Sequence, residues 1–294
     1  YFLAKMTYPT AFVLDRDNIE ANPRDWFRAP NGTGPFMLNV WSKDDLLVLE
    51  RNDRYYRGLP ELGHVVYRLF AGRPMTMYEQ GEIDLVGVYT SNIERAQDPA
   101  NPLSNDLQIR TRFCTSYLAF NVTIPPFDDP KVRQAFALAL DFDKKLAITL
   151  KGMAERAGGI LPPGMPGHNP SLTPVPFDPS RARALLDQSG YRGAQNLPVI
   201  ISYAEDDAMH WMWEEYLGVE VVAVSLPERQ DFFDRLDAKE LPLWTSGGCA
   251  DYPDPQNFLE VLFHSDSDQN RFGYAVPEVD ALLDRAAVEA DPET

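Results

Sequence analysis

One stretch of the chain, from Trp244 to Phe258, constrains the fold more than any other. A strand-like apolar run enters two glycines, then an acid, Asp251, then two prolines two residues apart, and then a helical pattern. Glycine lets another chain approach the backbone closely, and each proline removes an amide donor and ends a strand. Asp251 is therefore expected at the end of a strand, where its carboxylate can meet a cation. The same residues would also fit an aspartate that caps a turn.

Strand-like and helical segments alternate along the chain, which is the pattern of an α/β protein. Asp129-Pro130 and Asp178-Pro179 each predict the start of a helix, with the aspartate as N-cap, and Gly190 is expected to cap the end of the second helix. Hydrophobic periodicity and β-branched content indicate the remaining elements. The predicted strands are 36–41, 46–50, 65–70, 83–88, 107–112, 116–122, 199–203, 219–224 and 241–245, and the other predicted helices are 73–80, 209–217, 230–239, one after Asp254-Pro255, and 276–290.

Composition narrows the possible partners. At 294 residues and 44% hydrophobic content, the chain is long enough for one large or two medium domains. No run approaches the roughly 20 apolar residues of a membrane helix. The formal net charge is −17, from 44 acids against 27 bases, so nucleic acid is not an expected partner because little here would neutralise phosphates. An acidic surface can attract cationic ligands, although it commonly serves solubility alone.

The sequence offers little support for catalysis or a metal centre. Its two cysteines, Cys114 and Cys249, are far apart, and there is no Cys-x-x-Cys or His-x-x-x-His spacing. The four histidines are scattered singly, and neither a Gly-x-Ser-x-Gly motif nor a phosphate-binding glycine loop occurs. We therefore predict a binding protein that is not an enzyme and has no cofactor. A hydrolase that uses Asp251 as its nucleophile stays open as an alternative.

Six blocks, in the same order along the chain, resemble the family 5 extracellular solute-binding proteins, the oligopeptide, dipeptide and nickel receptors of ABC importers. The resemblance implies an α/β fold of the type II periplasmic-binding-protein kind, with two lobes and a ligand cleft between them. The ligand it implies is a short peptide, or another solute such as a nickel complex, an opine or an oligosaccharide. The blocks are 32–36, 51–56, 81–84, 125–135, 177–191 and 249–258.

The resemblance also assigns ligand-binding residues. It implies that Asp251 accepts the ligand ammonium and that Gly248 and Cys249 pair with the ligand backbone, beside Tyr252. Tyr117 matches a tyrosine that lines the cleft of the family.

Two positions depart from the pattern of the oligopeptide receptors. Gly248 stands where they carry a tryptophan, and the smaller residue enlarges the pocket. Thr245 stands where they carry an arginine that can bind a ligand carboxylate. His210 is only a weak substitute for a histidine that contacts that end of the ligand, and Arg235 could supply positive charge or be a solvated helix residue.

The resemblance further implies a disulfide, a lobe boundary and a location. Cys114 and Cys249 match cysteines that are bonded to each other in some oligopeptide receptors; two separate buried thiols are the alternative. Residues 1–120 would belong to the first, large lobe and 121–294 to the second, although an ordinary strand-to-helix loop would also fit. Because the resembling proteins start earlier and end later, a fragment is expected. The whole protein would be a monomeric lipoprotein, periplasmic or extracellular and tethered to the membrane, working with permease subunits.

Overall fold

The structure is a computed structural model, and it describes residues 2–70 and 72–289. The chain divides into two compact units, one comprising Pro9–Asn92 and the other Tyr1–Tyr8 with Ile93–Thr294. The lobe boundary at 120/121 concerns a longer protein and stays a prediction.

The helices are α1 Phe2–Lys5, α2 Arg16–Ala21, α3 Pro74–Glu79, α4 Ile93–Gln97, α5 Pro130–Leu138, α6 Phe142–Thr149, α7 Pro179–Asp187, α8 Asp207–Leu217, α9 Arg229–Asp237, α10 Leu259–Phe263 and α11 Pro277–Val288. The strands are β1 Phe36–Ser42, β2 Leu46–Arg51, β3 His64–Arg68, β4 Cys114–Phe120, β5 Ile200–Ser202, β6 Val221–Ala223 and β7 Leu243–Cys249.

The unit Pro9–Asn92 is built on a three-stranded antiparallel sheet in the order β1-β2-β3. Leu38 pairs with Leu49 and Val40 with Val48, so the register shifts between them and Asn39 is left as a bulge residue. The β-branched and aromatic content of these segments is what favours strands over short helices.

The other unit carries the strands that hold the site. β4 pairs antiparallel with β7, and β5 pairs parallel with β6. Tyr203, directly after β5, forms a parallel bridge with Trp244 of β7. The strands therefore follow one another in the order β4, β7, β5, β6, and helices pack against them.

Two hydrophobic clusters stabilise this unit. The larger contains residues of α5, α7 and α8 together with Ile200 and Leu243. Its centre holds the fully buried Trp213, whose indole N–H donates to the Phe136 carbonyl at 2.9 Å. The smaller cluster packs Ala119 and Trp244 on the opposite face of the β4–β7 pair, because neighbouring strand residues point to opposite faces.

The predicted helix starts are confirmed by their caps. Asp129 Oδ1 accepts the Lys131 N–H at 2.8 Å, and Asp178 Oδ1 accepts the Arg181 N–H at 2.9 Å. The predicted cap at Gly190 is wrong, because α7 ends at Asp187 and Gln188 takes the cap position. The Gly190 N–H donates instead to Asp129 Oδ2 at 2.8 Å, at the start of α5.

Two predicted strands are absent, and the last helix is shorter than predicted. Residues 83–88 and 107–112 have no strand structure. Neither segment pairs with another strand in the part of the chain that the structure describes, and an extended run cannot satisfy its backbone groups as a strand without a partner. The helix predicted over 276–290 is observed as Pro277–Val288, and Ala290 lies outside the described residues.

Candidate ligand-binding site

The predicted ligand-binding residues lie on the β4–β7 pair and on the turn that follows β7. Thr115 lies opposite Gly248, and Cys114 lies opposite Cys249 at the end of the ladder. The two cysteines form a disulfide, as the resemblance implied, across a sequence separation of 135. The bond ties the last residue of β7 to β4 and so fixes where the following turn begins.

The alternation of the ladder decides which backbone groups of β7 are available. The Ala250 N–H donates to the Phe113 carbonyl at 2.7 Å, which makes these two residues a hydrogen-bonded pair. Hydrogen-bonded and non-hydrogen-bonded pairs alternate along an antiparallel ladder. The N–H and C=O groups of Cys249 and Gly247 therefore point away from β4. Those of Gly248 point toward β4, so Cys249 and Gly247, rather than Gly248, present backbone groups at the far edge.

This edge of β7, which faces away from β4 and is called the open edge below, is hydrogen-bonded to another segment only at its beginning. The Tyr203 N–H donates to the Leu243 carbonyl at 2.8 Å, and the chain then turns away into α8. Within residues 2–70 and 72–289, no strand pairs with this edge at Gly247 or Cys249. An extended chain from outside can add there as a further strand.

The two adjacent glycines of β7 have different surroundings. A Cβ on Gly247 would lie 2.8 Å from Ser116 Oγ and 3.0 Å from the Thr115 carbonyl oxygen. A Cβ on Gly248 would meet nothing within 4 Å. Gly247 thus allows β4 to approach β7, whereas Gly248 leaves open space on the other face of the pair.

The turn after β7 holds Asp251 by its backbone and leaves its side chain exposed. The Asp251 N–H donates to Asn257 Oδ1 at 2.7 Å. Asp254 Oδ1 accepts the Gln256 N–H at 2.9 Å, and the Tyr252 hydroxyl donates to Gln256 Oε1. The prolines and these side-chain bonds shape a tight turn that presents the Asp251 carboxylate just past the open edge.

The field at the turn is negative. Burial raises the pKa of Tyr252, and the charges of Asp254, Glu260 and Asp251 raise it further, although a side-chain hydrogen bond with Asn257 acts in the opposite direction. Burial disfavours a charge of either sign, but the three carboxylate charges, which disfavour a tyrosinate, favour a cation. One cation of the chain is already close, since Lys5 Nζ lies 5.7 Å from the centre of the Tyr252 ring.

Tyr117 and Thr245 take different places on the β4–β7 pair. Tyr117 is half-buried and packs with the smaller hydrophobic cluster, its ring centre 5.9 Å from that of Phe272. Thr245 is exposed on β7, opposite Leu118. Tyr117 therefore helps to hold the sheet, and Thr245 supplies no positive charge.

The two residues considered as substitutes for missing contacts do not join the turn. His210 is buried on α8, where Nε2 lies 2.9 Å from Ser202 Oγ. Arg235 is exposed on α9. His210 is thus a core residue that bonds to a strand hydroxyl.

Sequence reasoning missed Asn257, which fixes the Asp251 backbone, and Gly247, which faces the open edge. Both lie inside the stretch 244–258. The two prolines between Asp251 and Asn257 were the available signal, because they force the chain to double back. The choice between Gly247 and Gly248 depends on strand register, which the sequence does not reveal.

The described part of the chain offers neither a metal-ligand cluster nor a membrane-spanning helix. It contains no group of three or more His, Cys, Asp or Glu side chains placed to hold a metal ion. None of its helices combines the length and the apolar character that crossing a membrane needs.

Comparison with known proteins identifies the family. Residues 1–270 match the family described as bacterial extracellular solute-binding proteins, family 5 Middle. The chain belongs to this family, as its sequence blocks indicated. The α/β fold expected from the resemblance is also confirmed, since the structure of HbpA2 from Haemophilus parasuis superimposes with a TM-score of 0.82 at 24% identity, covering 99% of this chain and 61% of that one.

Curated relatives carry the names of binding proteins. The chain is 27% identical over 315 residues to the dipeptide-binding protein DppE of Bacillus subtilis, covering 100% of this chain and 56% of the relative. It is 26% identical over 308 residues to the probable deoxycholate-binding periplasmic protein YgiS of Escherichia coli, covering 99% of this chain and 56% of the relative. The chain therefore spans about half the length of these relatives.

Proposed function

We propose that the whole protein is the extracytoplasmic solute-binding component of an ABC importer and that it captures short peptides between two lobes, with Asp251 accepting the ligand ammonium. The observation that carries this proposal is the open edge of β7, which leads directly into an exposed carboxylate. A peptide in extended form offers the matching groups, backbone amides followed by a terminal ammonium.

The spacing of the groups supports a peptide amino terminus. Cys249 and Gly247 present backbone N–H and C=O groups at the edge, and Asp251 follows two residues after Cys249. Since a strand rises about 3.3 Å per residue, a peptide that pairs with Cys249 and runs antiparallel to β7 brings its first residue near the turn. Burial is the main cause of the raised pKa of Tyr252, and the charges of Asp254, Glu260 and Asp251 add to it; these charges favour an ammonium at that place.

The names of the relatives span different ligand chemistries, a dipeptide for DppE and deoxycholate for YgiS. Of these two ligands, only the dipeptide carries an ammonium, which the Asp251 carboxylate would bind. A nickel complex, an opine or an oligosaccharide on the same scaffold is the alternative. Binding that did not depend on Asp251 would favour a ligand without a cationic group, such as an oligosaccharide.

We propose no turnover for this site, with Tyr252, Gly248, Thr245 and Tyr117 shaping it rather than reacting. Capture would take place outside the cytoplasm, in the periplasm or at the cell surface with a membrane tether. The ligand would then pass to the permease subunits of the importer, and the receptor would act as a monomer.

The proposal is tested on the full-length protein with a panel of free dipeptides and tripeptides, N-acetylated peptides and deoxycholate. We expect saturable binding of free peptides by calorimetry, with the peptides recovered intact. Cleavage of the peptides would support the hydrolase alternative. Binding of deoxycholate alone would exclude peptide capture.

A further inference from the structure

A loop of the unit Pro9–Asn92, distant in sequence from the candidate ligand site, carries a second kind of chemistry. Asn31 and Gly32 are adjacent, and both are exposed. Asn31 is the only asparagine of the sequence that precedes glycine; three others precede proline and the rest precede residues with larger side chains. Nothing lies within 4 Å of the position that a Cβ on Gly32 would take. No side chain and no neighbouring atom near the Cβ position therefore hinders the approach of the Gly32 nitrogen to Asn31.

We propose that Asn31 is a self-modification site, which deamidates through Gly32 and thereby weakens the cap of α2. In the first step the Gly32 nitrogen attacks Asn31 Cγ, and a C–N bond forms while the bond from Cγ to Nδ2 breaks. The proton lost from the Gly32 N–H leaves with Nδ2 as ammonia, and a cyclic imide remains. Water then opens the imide at either carbonyl and gives aspartate or isoaspartate. The balance is one water consumed and one ammonia released, with no oxidant or reductant.

The backbone around Asn31 suits this reaction. Residues 30–33 lie outside any helix or strand, so no ladder holds them in place. No acceptor for the Gly32 N–H is found among the backbone hydrogen bonds of the described residues. The Gly32 nitrogen can therefore approach the neighbouring Cγ without giving up a backbone hydrogen bond of its own. Glycine also gives the backbone the freedom that closure of the five-membered ring requires.

The consequence follows from what Asn31 contacts. Asn31 Nδ2 donates to Asp15 Oδ2 at 2.6 Å. The other oxygen of the same carboxylate, Oδ1, accepts the N–H groups of Asp17 at 2.9 Å and Asn18 at 3.2 Å and so caps α2. Deamidation replaces the donor with a carboxylate that faces another carboxylate. Like charges in contact repel, so Asp15 loses a partner and is pushed from its capping position.

A second contact closes the same loop. Asn18 Nδ2 donates to the Ala29 carbonyl at 3.0 Å. Two hydrogen bonds thus join the start of α2 to the loop at residues 29–31, one between Asp15 and Asn31 and one between Asn18 and Ala29. When the first bond is lost, the second holds the loop with less support, so the loop and the first turn of α2 are expected to loosen together.

The test incubates the full-length native protein at mildly alkaline pH and follows the tryptic peptide of residues 29–43 by mass spectrometry. That peptide also contains Asn39, which precedes valine and is an internal control. We expect Asn31 to convert to aspartate and isoaspartate at least an order of magnitude faster than Asn39. The variant Gly32→Ala should slow conversion severalfold, and its fold should be kept because the added methyl group meets open space. Equal lifetimes of Asn31 and Asn39 would overturn the proposal.

A second measurement tests the effect on α2. Asn31→Asp reproduces one product, and Asn31→Ser removes the amide without adding charge. We expect the amides of Asp17 and Asn18 to exchange with solvent severalfold faster in Asn31→Asp than in the unmodified protein, with a smaller change in Asn31→Ser. Unchanged exchange in Asn31→Asp would show that Asn31 does not support the cap and would overturn this half of the proposal.

Discussion

Gly247 faces Ser116 across the β4–β7 pair so closely that a methyl group on Gly247 would lie 2.8 Å from Ser116 Oγ and 3.0 Å from Ser116 Cα. A methyl group on the neighbouring Gly248 would meet no atom within 4 Å. One glycine is therefore required by the packing of the sheet, while the other leaves room at the candidate ligand site.

This difference predicts that the same substitution destabilises the protein at Gly247 and has little effect at Gly248. Gly247→Ala should lower the free energy of unfolding by about 1–3 kcal/mol, because the added methyl group forces the two strands apart. Gly248→Ala is the matched control and should change it by less than about 0.5 kcal/mol. Urea denaturation of the full-length protein measures both. Equal losses for the two variants would contradict the register described for β4 and β7.

The disulfide predicts a stability that depends on oxidation. A bond between residues separated by 135 positions lowers the conformational entropy of the unfolded chain. In the chain-entropy estimate this raises the free energy of unfolding by roughly 5 kcal/mol. Reduction should therefore lower the denaturation midpoint of the wild type, while the double variant Cys114→Ser/Cys249→Ser should be equally unstable with or without reductant. Two alkylated thiols in oxidatively purified, denatured, unreduced protein would show that the bond is not formed.

Asp129 predicts a loss of stability in acid. Burial alone would raise the pKa of Asp129, but hydrogen bonds from the Gly190 and Lys131 N–H groups, together with the Lys131 charge, outweigh it and lower this pKa. A carboxyl whose folded pKa lies below its unfolded value stabilises the fold above the unfolded pKa, and this contribution disappears as pH falls through the folded pKa.

The corresponding variant is Asp129→Ala, which should cost about 1 kcal/mol or more at neutral pH through loss of the α5 cap. The difference from wild type should begin to shrink below about pH 4, where the carboxyl of the unfolded chain takes up a proton, and it should disappear as pH falls through the lower pKa of the folded state. Asp178→Ala, which removes the α7 cap without a link to a second helix, controls for capping alone. A difference for Asp129→Ala that stays constant from neutral to strongly acidic pH would contradict this account.

Local chemistry was predictable from the sequence, and long-range pairing was not. The predicted Asp-Pro starts of α5 and α7 are confirmed, because each depends only on a side-chain cap that reaches a backbone N–H within three residues. Residues 83–88 have strand character but no partner strand among the described residues, and no local pattern reveals that. Gly190 failed as a helix cap for the same reason, because its N–H binds Asp129 across the fold.

The candidate site divides in the same way. The resemblance located Asp251 and the cysteine pair within one short motif, and the structure confirms the disulfide. Asn257 and the outward orientation of Gly247 depend on how the turn closes and on the register of β7. A shift of one residue would have exchanged the roles of Gly247 and Gly248. The ligand-binding roles of Asp251, Tyr252 and Tyr117 stay predictions.

The most direct test of peptide capture is a calorimetric cycle on the full-length protein, with wild type and Asp251→Asn each titrated with a free peptide and with its N-acetylated form. Because a desolvated ammonium would lose its charged partner, Asp251→Asn should weaken binding of the free peptide by about 2–5 kcal/mol. The acetylated peptide should bind wild type weakly and be nearly indifferent to the substitution. Equal affinity of wild type and Asp251→Asn for the free peptide, or equal affinity of wild type for the two peptides, would contradict the assignment of Asp251 as the ammonium acceptor.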